Sequence, residues 1–541
     1  MQSTMMRVPL STNALLERAG RYFATREVVS RRPDKSLHRT TYGDIRRRAR
    51  QLAKALVERA GIRPGDAVAT LQWNHAAHLE CYFGIPAAGA VLHTVNLRLS
   101  PEDVAYVVAD AGDRLIIVDD VMLPLWERVV PLLEVVPRVV VHAFSGQPVP
   151  AGYEDYETFI AGNAEDYVYP AQDENDAVAM CHTSGTTGRP KGVVYSHRSM
   201  VLHALASCAS DLFGTSASDN VLVITPMFHA NAWAMPYSAT MVGAKMVFPG
   251  PHMAGPDLLD LMEGERISLT LGVPTICNMI LQVLQAGPAR TFAGPIRMLV
   301  GGAAAPVSLI RGLDGFGIHI RHAWGMTETS PLGSVSYTRP EDAVLDAEEQ
   351  AKVRALQGTA SPMVEMRIID EAGAECPWDG TTSGELQVRG PWITGGYHNL
   401  PPDPEKISAD GWLRTGDVAT IDPIGRMRIA DRTKDLIKSG GEWISSVELE
   451  NAVMGHPAIA EAAVVAIAHP KWDERPLVVA VRKPGCDVTG DDIRQYLAPH
   501  FARWQLPDDY AFIDAIPRSS TGKFLKHELR RQFADMISRT P

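Results

Sequence analysis

Apolar and polar positions alternate along the first 170 residues with two periods. Thr41 can cap a helix whose apolar positions are Ile45, Ala49, Leu52 and Leu56, one stripe at helical spacing, and Gly61 follows as a stop. Asp66–Leu71 then reads as a strand. Ser100-Pro101-Glu102 starts a second helix, with proline at the first helical position, where its missing N–H costs nothing. Leu115–Val118 and Arg138–Val141 are short β-branched runs bounded by polar residues, the pattern of strands covered on both faces. This alternation predicts a mostly parallel sheet with helices on both sides.

The same rhythm runs from Ala177 to about Tyr337, with strands expected at Ala177–Cys181, Val221–Ile224, Lys245–Phe248, Ser268–Leu271 and Arg297–Val300. Beyond Val364 the runs shorten. Met366–Ile369, Gly384–Arg389, Val418–Ile421 and Arg426–Ile429 are separated by Gly, Asp and Pro, and Asp422-Pro423-Ile424-Gly425 marks a hairpin turn. They predict a small antiparallel sheet or barrel-like unit. After the charged segment 431–438, Ser446 is expected to cap a helix carrying Leu449 and Val453 and stopped by Gly455. Strands at Ala462–Ile467 and Leu477–Val481 and helices at Asp491–Leu497 and Phe524–Met536 complete the pattern. The expected class is α/β. A large N-terminal part, residues 1–433, holds two doubly wound α/β subdomains and the small β subdomain. A compact C-terminal α+β domain spans residues 434–541.

Composition narrows the class without naming it. At about 150 residues per unit, 541 residues make three or four units. Hydrophobic residues at 45% and charged residues at 21% are ordinary for a globular chain, so disorder is excluded. Lys+Arg 52 against Asp+Glu 63 gives −11, without the basic footprint of a nucleic-acid binder. None of the six cysteines forms a CxxC pair, which argues against zinc ribbons and for reduced thiols. Met1–Leu10 lacks a signal-type apolar run, and no apolar stretch approaches the roughly 18 residues of a membrane span. The expectation is a soluble cytoplasmic protein with no stable membrane insertion.

The sharpest motif is Thr183-Ser184-Gly185-Thr186-Thr187-Gly188-Arg189-Pro190-Lys191-Gly192, directly after the strand Ala177–Cys181. Its glycines let backbone N–H groups turn towards an anion, and its hydroxyls and Lys191 add donors for phosphate oxygens. Gly192 stands where a Walker A loop has Ser or Thr, so this is not the P-loop of kinases and ATPases.

This loop resembles the phosphate loop of the adenylate-forming superfamily, which includes acyl-CoA synthetases, peptide-synthetase adenylation domains and beetle luciferases. Four further stretches resemble that superfamily's motifs in the same order: Trp324-Gly325-Met326-Thr327-Glu328, Thr415-Gly416-Asp417, Asp431-Arg432-Thr433-Lys434-Asp435 with Ile437-Lys438, and Pro517-Arg518-Ser519-Ser520-Thr521-Gly522-Lys523. The resemblance covers essentially the whole chain. It implies chemistry in two halves. A carboxylate attacks the α-phosphorus of ATP to give acyl-AMP and pyrophosphate, and the thiol of coenzyme A then displaces AMP.

The resemblance also implies roles. Thr183–Lys191 would hold the β- and γ-phosphates. Trp324 would offer its ring to adenine, where the family more often has Tyr. Thr327 would donate to the α-phosphate and Glu328 would bind Mg²⁺, which usually reaches a nucleotide through a carboxylate and phosphate oxygens. Asp417 would accept the ribose hydroxyls with Arg432 nearby. The small residues Gly301, Gly302, Ala303 and Ala304 would let backbone approach adenine and the acyl group. Lys523 would stabilise the charge that builds in adenylation, with Lys526 ranked well below it. Lys434 would be a hinge about which a mobile C-terminal domain swings, alternately bringing Lys523 to ATP and presenting Gly440, Gly441, Glu442 and Trp443 to coenzyme A, while Lys438 would hold phosphate. His229 would lie near the reacting carboxylate and Trp233 at the acyl tunnel.

Among Met235, Pro236, Val273 and Pro274 no charge appears that would pair with a second carboxylate or an amino group, so a hydrophobic monocarboxylic acid is expected. The segments at Thr41, His229/Trp233 and 439–445 most resemble bacterial medium- and long-chain fatty-acyl-CoA synthetases and 3-methylmercaptopropionate-CoA ligases. Those resemblances imply a homodimer. Delivery of the acyl group to a carrier protein or another acceptor is the alternative for the second step.

Overall fold

The computed structural model describes the chain except for Glu165, residues 184–188, Gly441, residues 519–523, Asp535 and residues 537–541. Two large sheets form its N-terminal part. The first runs Glu154–Asp155, Arg138–His142, Leu115–Asp119, Ala67–Leu71, Val91–Thr94, Ala177–His182 and Gly192–Ser196, parallel except for the last pair. The second has nine strands, with Asn220–Leu222, Lys245–Phe248, Leu269–Gly272, Ile296–Val300 and Ile318–Gly325 parallel at its centre.

The chain exchanges strands between these sheets in a way its linear rhythm does not show. The hairpin Glu27–Arg31/Leu37–Thr41 joins the second sheet, parallel to Lys245–Phe248. Ala177–His182 and Gly192–Ser196 close the first. Each sheet is therefore completed by a segment from the other's stretch of sequence. The cause is visible in helix Ala76–Ala87, whose every residue is buried and which touches strands of both sheets. A helix buried all round needs cover on all sides, and one sheet covers only one.

The expected helix after Thr41 forms as Tyr42–Glu58, with the Thr41 side chain accepting from the Asp44 N–H. Ser100 likewise caps Pro101–Ala111. The small unit is a four-stranded antiparallel sheet in the order Glu365–Ile369, Ser383–Arg389, Leu413–Ile421 and Met427–Arg432, so of sheet and barrel the sheet is found. The C-terminal unit sets Ile459–His469, Asp473–Arg482, Ile437–Ser439 and Glu442–Ile444 side by side, with Asp509–Phe512 parallel to the second of these.

Two local expectations are corrected. The helix Ser446–Met454 is capped by Ser445, whose side chain accepts from the Glu448 N–H, one residue before the expected cap. The last helix is Lys526–Gln532 rather than Phe524–Met536, because Phe524 forms a bridge with Arg518 instead. Among the described residues no helix is long and apolar enough to cross a membrane.

Candidate functional site

Two adjoining cavities, about 680 Å³ and about 480 Å³, share Thr275, Gly302, Ala323, Trp324, Gly325, Met326, Arg432 and Lys434. The first opens at the carboxyl ends of the parallel strands: Thr183 follows Ala177–His182, Val273 follows Leu269–Gly272, and Gly301 follows Ile296–Val300. Open α/β sheets place their ligands at this edge, where strands stop and loops diverge.

At one end stands the phosphate loop. Its neck is closed by two hydrogen bonds, Lys191 N–H to Thr183 Oγ1 at 3.0 Å and Thr183 N–H to the Lys191 carbonyl at 2.9 Å. The assignments at Ser184, Gly185, Thr186, Thr187 and Gly188 fall outside the described residues. The Lys191 ammonium lies 4.8 Å from the centre of the Tyr397 ring, and the Tyr397 hydroxyl donates to Glu328 Oε1 at 2.8 Å. Burial, with Glu328 beside it, pushes the Tyr397 phenol up, so it stays a neutral donor. Glu328 Oε2 accepts no hydrogen bond among the described residues. Thr327 is buried beside it, its carbonyl accepting from the Tyr195 hydroxyl at 2.9 Å. Sequence reasoning missed Tyr397. The available signal was Gly395-Gly396 immediately before an aromatic residue.

Towards the second cavity the Trp324 indole N–H donates to Asp417 Oδ2 at 2.8 Å, and Arg432 Nε lies 3.3 Å from Asp417 Oδ1. An ionised carboxylate has about four acceptor positions, so these contacts aim Asp417 while leaving capacity for two more donors. Gly333 lies so close to the Trp324 ring that a Cβ there would fall 2.3 Å from it. Gly302, with φ of 84°, lines both cavities, and Ala303 and Ala304 line the second.

The apolar end holds His229 and Trp233 with Phe213, Ile224, Met253 and Ile276. His229 leads into an unusual turn: Ala230, Asn231, Ala232, Trp233 and Ala234 all have φ between 43° and 57°. Left-handed backbone costs about 1–2 kcal/mol per non-glycine residue. Burial of all five residues holds the turn, and a methyl at Gly301 would sit 3.2 Å from the Trp233 ring, so that glycine makes room for it.

The far wall of the second cavity comes from the C-terminal unit, including Arg518 and Phe524 on either side of the segment containing Lys523. Lys523 itself is outside the described residues. Lys526 is largely buried, its ammonium 2.7 Å from Glu450 Oε1 and 2.6 Å from Ser446 Oγ. Burial alone would push Lys526 down. Glu450, Asp431 and Asp435 outweigh it and raise the ammonium above its ordinary range. Asp431 Oδ2 also accepts from the Ser446 N–H and hydroxyl, both at 2.6 Å, and Arg530 pairs with Asp435. Lys434 lines both cavities.

Lys438, Gly440, Glu442 and Trp443 line neither cavity. They lie on the hairpin Ile437–Ser439/Glu442–Ile444, where the Lys438 ammonium is 5.7 Å from the centre of the exposed Trp443 ring and a second exposed indole, Trp472, lies against Gly440. Gly441 is outside the described residues.

A phosphate-loop neck, a carboxylate, an anchored aromatic–aspartate pair and an apolar recess around one space are the parts of an adenylate-forming enzyme. The chain belongs to the AMP-binding enzyme family, whose profile matches residues 16–398, with the profile of the AMP-binding enzyme C-terminal domain matching residues 448–523. It is 46% identical to the long-chain-fatty-acid–CoA ligase of Thermus thermophilus, covering 98% of this chain and 97% of that one. It is 43% identical to the 3-methylmercaptopropionyl-CoA ligase of Ruegeria pomeroyi, covering 99% and 100%. Its fold matches the crystal structure of the anthranilate CoA ligase AuaEII with anthranoyl-AMP at a TM-score of 0.87 and 24% identity, covering 98% and 99%.

Proposed function

We propose that the protein is an ATP-dependent acyl-CoA ligase acting on a hydrophobic monocarboxylic acid. The observation that carries this reading is the single space joining the Thr183/Lys191 neck and Glu328 to the His229/Trp233 recess. An acid in the recess puts its carboxylate beside the α-phosphate of an ATP held at the neck. Placing both reactants in one geometry removes much of the entropic cost of a two-substrate step.

Trp324 and Asp417 would receive adenine and ribose, and Lys191 with the loop would receive the leaving pyrophosphate. Glu328 fits a magnesium ion: it is buried, has one oxygen engaged by Tyr397, and lines the phosphate end. Bound there with phosphate oxygens, Mg²⁺ would neutralise charge on the triphosphate. Lys523 would stabilise the charge that develops during adenylation. Lys434 would be the pivot by which the C-terminal unit exchanges Lys523 for the Gly440–Trp443 segment, with Trp443 and Trp472 receiving coenzyme A.

The acid is read as a fatty acid, since the recess is lined by large apolar side chains. A short thioether acid is the second reading, favoured by the full-length relationship to the Ruegeria pomeroyi enzyme. Incubating the protein with ATP, Mg²⁺ and a panel of acids, with and without coenzyme A, tests both. Pyrophosphate and acyl-CoA are expected for one class of acid. Acyl-AMP that accumulates and never yields thioester when coenzyme A is added would sink the ligase reading and favour another acceptor.

A further inference from the structure

Behind the phosphate-loop neck, four side chains run in one hydrogen-bonded line. Asp113 Oδ2 lies 2.7 Å from His93 Nδ1, His93 Nε2 lies 3.0 Å from His182 Nδ1, and His182 Nε2 lies 3.0 Å from Asp110 Oδ2. His93 and His182 stand on the neighbouring strands Val91–Thr94 and Ala177–His182, Asp110 on helix Pro101–Ala111, and Asp113 in the turn behind it. The side chains of Asp113 and His93 are wholly buried, and Asp113 Oδ1 has no partner among the described residues. His182 directly precedes Thr183, so the line passes the base of the neck.

Counting protons gives this line a property that none of its members has alone. Two neutral imidazoles carry two N–H groups, and ionised carboxylates only accept. Three contacts between four such groups need three protons, or two lone pairs face each other at hydrogen-bond distance in a low-dielectric interior. The line is complete only when it holds one proton more than its neutral histidines supply. Burial holds the Asp113 carboxyl above its usual range, and burial with His93 alongside pushes His182 down. The extra proton therefore belongs at the inner end. Shared between Asp113 and His93, it lets His93 donate to His182 and His182 donate to the Asp110 carboxylate.

The surroundings tie this line to the loop. Arg189 lies over the ring of Tyr106, on the same helix as Asp110, at 4.9 Å. The Asp110 carbonyl accepts from the Asn399 side chain, and the His398 N–H donates to the Gly192 carbonyl. His398 is the other titratable group felt by His182.

We infer that Asp113, His93, His182 and Asp110 form a proton-loaded positioning chain that sets the Thr183–Lys191 neck for ATP, and that ATP is held more weakly when the chain gives up its extra proton at alkaline pH. This rests on the reading of the Thr183–Lys191 loop as the holder of the ATP phosphates.

The test measures KM for ATP and kcat of pyrophosphate release between about pH 6 and about pH 10. The wild-type KM for ATP is expected to rise by about tenfold, the worth of one buried hydrogen bond, across a single alkaline ionisation, with kcat little changed. Asp113→Asn supplies the third proton from an amide that does not titrate, so its KM is expected to stay at the wild-type low-pH value throughout. Asp113→Ala is expected to show the raised KM at every pH. If that variant does not fold, the asparagine variant decides alone. A wild-type KM that is flat with pH, or an Asp113→Asn profile that follows the wild-type rise, overturns the inference. Lys191→Ala separates the two readings. Unchanged KM for ATP in that variant means that the loop does not hold ATP. A raised KM, with Asp113→Asn still tracking wild type, means that only the positioning chain is wrong.

Discussion

Trp324 works through its neighbours. Its ring is set by Gly333 beneath it and by the bond to Asp417 at its edge. Gly333→Ala is expected to push the ring aside and raise KM for ATP about tenfold or more, on the scale of overpacking a tight contact, with the acid's KM nearly unchanged. Steady-state kinetics with each substrate varied in turn checks this. At the other end, Trp233 occupies a buried left-handed turn. Trp233→Ala is expected to shift the preferred chain length while KM for ATP stays within about twofold, since its ring packs against Gly301 rather than on the Trp324–Asp417 pair. An unchanged acid profile would remove Trp233 from the acyl site. These residues divide by how they could be read. Glu328, Asp417 and Trp324 stand in short glycine-containing motifs whose order points to the chemistry. Gly333 acts through its approach to the Trp324 ring and Tyr397 through its bond to Glu328, contacts that those motifs do not record.

At the scale of elements, the central parallel strands were legible because β-branched runs bounded by turns have few other uses. Their assignment to sheets was not. The hairpin 27–41 has an exposed outer strand with little apolar signal, Leu37–Thr41, and its place beside Lys245–Phe248 depends on the buried helix Ala76–Ala87 between the sheets. The C-terminal helix Lys526–Gln532 is tied by charge to helix Ser446–Met454 and to Asp435. Lys526 meets Glu450 while Arg530 meets Asp435. Lys526→Met leaves Glu450 and Asp431 buried without their cation, and is expected to cost about 3–5 kcal/mol in denaturant unfolding of the C-terminal unit. Glu450→Gln combined with Lys526→Met should recover much of that loss. The acid limit follows from Asp435, which Lys526 and Arg530 hold below its ordinary range against the opposing effect of burial. Its contribution is full above its unfolded pKa of about 3.9 and is lost as pH falls through the lower folded value. A melting temperature that stays constant from neutral pH into that acid range would contradict the pairing.

The whole molecule brings to one junction what the chain keeps far apart, with Thr183 near one third of its length and Arg518 near its end. The net charge of −11 offers ATP no general attraction, so on the proposed reading binding would rest on local cations such as Lys191 and Arg432. Arg518 and Phe524, on either side of the segment containing Lys523, line the second cavity, while Trp443 lines neither. Lys523→Ala is therefore expected to lose more than about a hundredfold in acyl-AMP formation yet convert supplied acyl-AMP and coenzyme A to thioester at near the normal rate. Equal loss in both halves would contradict the division of labour between the two faces of the C-terminal unit.

The most direct test follows an oxygen atom. An acid labelled with oxygen-18 in its carboxylate is incubated with ATP, Mg²⁺ and coenzyme A, and the products are weighed by mass spectrometry. Attack of the carboxylate on the α-phosphorus followed by thiol displacement leaves one labelled oxygen in AMP for each acyl-CoA formed, with unlabelled pyrophosphate. Label in phosphate, ADP in place of AMP, or acyl-CoA formed beside unlabelled AMP would contradict the account.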